Sequence, residues 1–202
     1  MPRKYLHKKR SMRSSVRKQV EQVLAKRTEV KKQTITNTAS VSTGGTIIPL
    51  LATIAQGNAH DQRVGNQVNL LSFYLRVQTA LGDNGYNTTR VALIRTRQPT
   101  AVVAELFETT SFSVFGANYA GWNYQLVQNV YFDRLTTLNQ LVAGQRATKY
   151  FKKYLKIKDK INYQDSITGP PNENYYLVLV SDSSVIPHPS CNLVLTQRFT
   201  DS

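Results

Sequence analysis

The chain has 202 residues, 41% of them hydrophobic, with 26 Lys and Arg against 12 Asp and Glu and a formal net charge of +14. That length supports one good core with a tail and excludes two full domains. So large a positive excess adds self-repulsion to a folded chain and points to a polyanionic partner, while the single cysteine, Cys191, excludes an intrachain disulfide or a thiolate metal cluster and fits a reducing compartment.

The charge gathers at the amino end. Residues 1–32 hold twelve Lys and Arg against Glu21 and Glu29, a net of ten of the fourteen charges. This defines a basic arm at 1–32 ahead of a mildly basic body at 33–202. The first residues carry Lys and Arg with no apolar segment, which is not the pattern of a secretory signal peptide. From Ser11 to Arg27 the apolar residues Met12, Val16, Val20, Val23 and Leu24 recur at the spacing of one helix face, and Ser11 is placed to cap it. Around that stripe Arg3, Lys4, Lys8, Lys9, Arg10, Arg13, Arg17, Lys18, Lys26 and Arg27 are the candidate phosphate ligands. A solvated surface helix is the plain alternative; the terminal position after a basic tail favours phosphate binding.

After Lys32 the composition turns to Thr, Ser, Asn, Gly, Val and Ile, and helical periodicity stops. Thr34 to Ser42 alternates weakly, then a Thr43-Gly44-Gly45 break leads into an apolar stretch over Ile47 to Ile54. That stretch is interrupted by Pro49 and is far shorter than the roughly 20 residues a membrane span needs. Asn69 to Thr79 is the clearest strand, with Leu71, Phe73, Leu75 and Val77 on one side and Ser72, Tyr74, Arg76 and Gln78 on the other. A hairpin turn at Gly82-Asp83-Asn84-Gly85 leads to a strand at Thr89 to Arg95. Pro99 to Leu106 reads as a brief helix with Thr100 as its cap. Four further strands are predicted at Val127 to Leu135, Phe151 to Ile161, Tyr175 to Ser181 and Cys191 to Phe199. Six to eight strands with one short internal helix predict an all-β antiparallel sandwich or barrel.

Catalytic signals are thin. The histidines His7, His60 and His188 are scattered, and Cys191 lies in an apolar run where a packed thiol is expected rather than a nucleophile paired with His188. No phosphate-binding glycine loop ending in Lys-Ser or Lys-Thr and no paired-carboxylate signature stands out. An enzyme is therefore not expected. Gly82 to Gly85 resembles the loop of a KH module, but its flanks read as strands. Two features point to contacts. Between Phe151 and Ile161 the even positions Lys152, Lys156, Lys158 and Lys160 form a lysine stripe, which serves either as a solvated edge guarded against aggregation or as a surface facing nucleic acid. Tyr119, Trp122 and Tyr124 cluster near Gly116 and Gly121, where aromatics stack on bases or fill a subunit contact.

Several stretches match a known family in order. The basic helix is followed by Ile54-Ala55-Gln56-Gly57, then Asp61-Gln62-Arg63-Val64-Gly65-Asn66-Gln67-Val68, then Pro99 to Leu106, and the chain ends Phe199-Thr200-Asp201-Ser202. In these it resembles the coat proteins of satellite tobacco necrosis virus and its relatives, from about Lys9 to the C-terminus. Related shells enclose small circular single-stranded DNA genomes. The resemblance implies a single eight-stranded antiparallel jelly roll behind a basic arm, self-assembled into an icosahedral T=1 shell of sixty copies around single-stranded viral RNA or DNA, with no membrane partner. It implies a virion protein made in the host cytoplasm, or reaching the nucleus if the genome is DNA. It further implies calcium at subunit contacts, held by the carbonyls of Val64 and Gln67 and the carboxylate of Asp201. A second calcium position would fall on Ala25 and Asn58, where Ala25 offers no ligand. The rival reading is a ribosomal-type or other non-viral RNA-binding protein, which predicts a stable monomer and discrete RNA specificity.

Overall fold

A computed structural model of the chain describes residues 16–20, 29–82, 85–99, 102–108, 121–139, 147–163 and 174–201. Eight strands follow in order: β1 Lys31–Ser40, β2 Thr46–Pro49, β3 Gln67–Ala80, β4 Tyr86–Thr96, β5 Val127–Asn139, β6 Thr148–Asn162, β7 Asn174–Ser181 and β8 Ser190–Asp201. They form two four-stranded sheets in the orders β1-β8-β3-β6 and β2-β7-β4-β5, and every ladder is antiparallel. This is the eight-stranded jelly roll, in which each sheet draws alternately on the two halves of the chain.

Side-chain alternation explains why these segments pair as they do. In the first sheet Phe73 lies opposite Gln197 and Leu155, Leu75 opposite Leu195, and Val77 opposite Leu193 and Phe151. Those residues point inward onto Leu93, Leu177 and Leu179 of the second sheet. A fully buried leucine of this kind contributes about 2 kcal/mol. The centre of the second sheet is covered on both sides, so β7 is buried at all eight positions and β4 at nine of eleven, whereas the edge strand β5 is largely exposed or half-buried. The sheet's outer side packs Ala92, Ile94, Val178 and Val180 beneath Val103, Leu106, Phe107 and Trp122. A strand with both faces covered reads as a continuous hydrophobic run, as Tyr175 to Val180 does.

Four expectations need correction. β1 begins at Lys31, not Thr34, because its ladder continues to the pair Lys31 and Phe199; two of the arm's lysines therefore belong to the sheet. The Ile47 to Ile54 stretch is a strand only to Pro49; proline, without an N–H, ends the ladder, and Leu51–Thr53 forms a 3-10 turn. The segment before Leu106 is a 3-10 turn at Ala104–Leu106, while Thr100 lies outside the described residues. Gly82 to Gly85 is no hairpin, because it links β3 and β4, which lie in different sheets. Gly82 has its own reason to be glycine. A Cβ there would fall 2.2 Å from the carbonyl oxygens of Pro187 and His188.

The alternation in β3 also breaks. Its register shifts between Leu70 and Ser72, so Val68 and Leu70 face the core before the break and Phe73, Leu75 and Val77 after it. Leu71, expected inward, is only half-buried at the bulge. Across from it Lys158 takes a φ of 62°, the local distortion a bulge demands.

Candidate nucleic-acid interface

The arm is described only over residues 16–20, which are helical and exposed and carry Arg17 and Lys18. Arg3, Lys4, Lys8, Lys9, Arg10, Arg13, Lys26 and Arg27 lie outside the described residues.

Three arginines of the body have interior duties. Arg63 is 1% exposed; its Nη1 donates to the Gly65 carbonyl (2.6 Å) and Asn66 Oδ1 (3.1 Å), and its guanidinium lies 4.3 Å above the Tyr163 ring. Burial pushes the Tyr163 phenol up from its ordinary value against the opposing pull of Arg63. Arg90 grips Asp133 with Nε and Nη2 (2.9 and 2.6 Å), and the Trp122 indole donates to the same carboxylate (2.9 Å). Trp122 also stacks on Phe107 at 4.9 Å, so this aromatic is core, whereas Tyr124 is exposed and Tyr119 lies outside the described residues. Arg95 meets Asp159 at 3.0 Å, and the hydroxyls of Tyr131 and Tyr175 donate to the same oxygen. Burial first, then the bonds to Asp159 and Tyr131, push the Tyr175 phenol up and keep it a donor.

Cys191 is buried, and burial pushes its thiol up to about 12 from 9.0. A thiolate nucleophile is thereby disfavoured. His188 Nδ1 lies 3.2 Å from the Ser183 hydroxyl.

The C-terminal corner brings two expected residues together in an unexpected way. Asp201 Oδ1 accepts from the Val64 backbone N–H at 3.1 Å, while the Val64 carbonyl accepts from Gln56 Nε2 at 3.3 Å. Gln67 Nε2 donates to Asn162 Oδ1 at 2.6 Å. Asp201 Oδ2 meets Lys31 Nζ at 2.8 Å, and that ammonium also donates to the Gln62 carbonyl at 2.8 Å. Calcium requires six to eight oxygens at about 2.3–2.6 Å, whereas this carboxylate faces two hydrogen-bond donors. As a single chain arranges them, Val64, Gln67 and Asp201 do not fit a shared calcium; Lys31 supplies the positive charge. Sequence reasoning assigned Lys31 to the arm. The available signal was its parity with Gln33, Ile35, Asn37 and Ala39, which point inward along β1.

The satellite tobacco necrosis virus coat protein family model matches residues 1–179. The chain belongs to that family. No curated protein matches it. Among solved structures, turnip yellow mosaic virus is 10% identical, with 87% of this chain and 94% of that one covered and a TM-score of 0.36. Desmodium yellow mottle tymovirus is 13% identical, with 85% and 81% covered and a TM-score of 0.37. The infectious bursal disease virus VP2 subviral particle is 12% identical, with 87% and 33% covered and a TM-score of 0.27. At these scores the fold assignment rests on the chain's own strand order. As a member of the satellite tobacco necrosis virus coat protein family it is a viral capsid protein, structural in role, belonging to the virion and associating with further copies of itself.

Proposed function

We propose that the protein closes into a small icosahedral T=1 shell of sixty copies and packages a single-stranded genome, RNA or DNA, through the basic arm at 1–32. The observation that carries this reading is the separation of charge from fold. Eight of the fourteen net charges precede Lys31, where the strands that build the two sheets begin. A rigid jelly roll supplies repeated contacts between copies, and a cationic arm neutralises phosphates without reading bases. Each arm binds weakly, and closure of the shell multiplies the effect.

The test is the salt dependence of binding by the full chain. A single strand loses about 0.7 in log K per neutralised phosphate for each decade of salt, so an arm engaging ten phosphates gives a slope of about −7. Affinity for unrelated sequences should be nearly equal. A shallow slope with strong preference for one RNA, from a stable monomer, would support the ribosomal-type reading instead.

A further inference from the structure

We infer that the outer face of sheet β1-β8-β3-β6 is a second binding surface for single-stranded nucleic acid, distinct from the part of the arm that precedes β1. This rests on the reading of the chain as a genome-packaging coat protein.

The two sheets differ on their outer sides. That of β2-β7-β4-β5 is covered by Val103, Leu106, Phe107 and Trp122. On the outer side of β1-β8-β3-β6, Lys32, Arg76, Lys152, Lys156, Lys160 and Arg198 are all exposed. The register sets them side by side. Lys32 lies opposite Arg198, whose other neighbour Ser72 is opposite Lys156, and Arg76 lies opposite Lys152. Like charges directly opposite one another destabilise a sheet, and charge guarding edge strands requires cations only on the two edges, β1 and β6. Arg76 and Arg198 lie on the two central strands, β3 and β8.

No carboxylate relieves this face among the described residues. The two acidic residues on these strands, Asp159 and Asp201, have the opposite parity and are engaged by Arg95 and Lys31. A bound polyanion supplies the missing countercharge. The Arg198–Lys156 row and the Arg76–Lys152 row lie four residues apart, about 13 Å along the strands, with the Tyr74–Tyr154 row between them, so one extended strand meets cations, then rings, then cations.

Aromatic and polar groups lie between the cations. Tyr154 pairs with Tyr74, whose ring is 5.9 Å from the Arg76 guanidinium. Tyr150 and Tyr154 are exposed. Beside them a depression of about 410 Å³ is lined by Thr36, Thr38, Arg76, Gln78, Tyr150 and Asn192. Exposed rings beside cations are the arrangement that stacks bases regardless of sequence while holding phosphates. A nucleic-acid strand is thus favoured over an anionic surface that offers charge alone.

The experiment titrates a fluorescent oligothymidylate, about thirty nucleotides long, against the full chain over a range of salt. Arg76→Gln with Lys152→Gln should reduce the salt slope by about 1.4, and adding Lys156→Gln and Arg198→Gln by about 2.8 in total. Melting without nucleic acid should not fall, because opposed like charges are being removed. If the fourfold variant does not fold, the pair alone decides. An unchanged slope in a variant whose parent binds overturns the second surface and leaves the arm reading intact. A parent chain that binds nothing overturns both. Loss of heparin binding with an unchanged oligonucleotide slope assigns the face to a glycan and overturns the inference.

Discussion

A chain lacking residues 1–27 is expected to fold into the same two sheets and to retain only a minor part of its nucleic-acid load. The deleted segment holds ten Lys and Arg against Glu21, so the net charge falls from +14 to +5. Among the described residues no strand pairing involves a residue before Lys31, so both sheets are expected to survive the deletion. Each lost phosphate contact weakens binding, and the losses multiply across all copies in a shell. Circular dichroism should report an unchanged β signal, while the ratio of absorbance at 260 to 280 nm in purified particles should drop sharply. A normal load in the truncated protein would show that the arm does not govern packaging.

The second large effect is expected at the corner held by Lys31 and Asp201. Lys31 is 6% exposed and Asp201 29%, so losing the carboxylate strands the more deeply buried charge. Asp201→Asn keeps the size and an acceptor for the Val64 N–H and removes only the charge. It should cost about 2–4 kcal/mol, or roughly 5–15 °C in melting temperature for a domain of this size. Lys31→Met should cost less, because it leaves a carboxylate that water still reaches. A chelator should leave the wild type's melting unchanged, since the compensating charge is an ammonium of the same chain. Melting that falls with chelator and recovers with calcium would place a metal at this corner.

The contrast between these two regions shows where sequence was informative. The arm's charge and helical spacing are properties of neighbouring residues, and the strands around Phe73, Leu93 and Leu195 declare themselves by alternation or by apolar runs. The sheet order follows from the family resemblance rather than from any local pattern. What stayed hidden depends on long-range register. Alternation places Leu71 inward, and the shift between Leu70 and Ser72 moves it off the core. The hairpin expected at Gly82 dissolved because the strands it joins belong to different sheets. The lysine stripe of β6 was visible in the sequence, but its alignment with Arg76, Arg198 and Lys32 was not, since those cations come from three other strands. Likewise Asp201 was singled out for its place in the family ending, while its partner Lys31 lies 170 residues earlier and is brought near by the pairing of β1 with β8.

The central claim is that copies of this chain close into a shell around nucleic acid. Electron microscopy of the purified recombinant full chain, with sequencing of the nuclease-protected nucleic acid it carries, tests this most directly. Uniform closed particles, a few hundred ångströms across or less and holding protected single-stranded nucleic acid, are the expected result. Monomers alone, across a range of salt and with nucleic acid supplied, would contradict it.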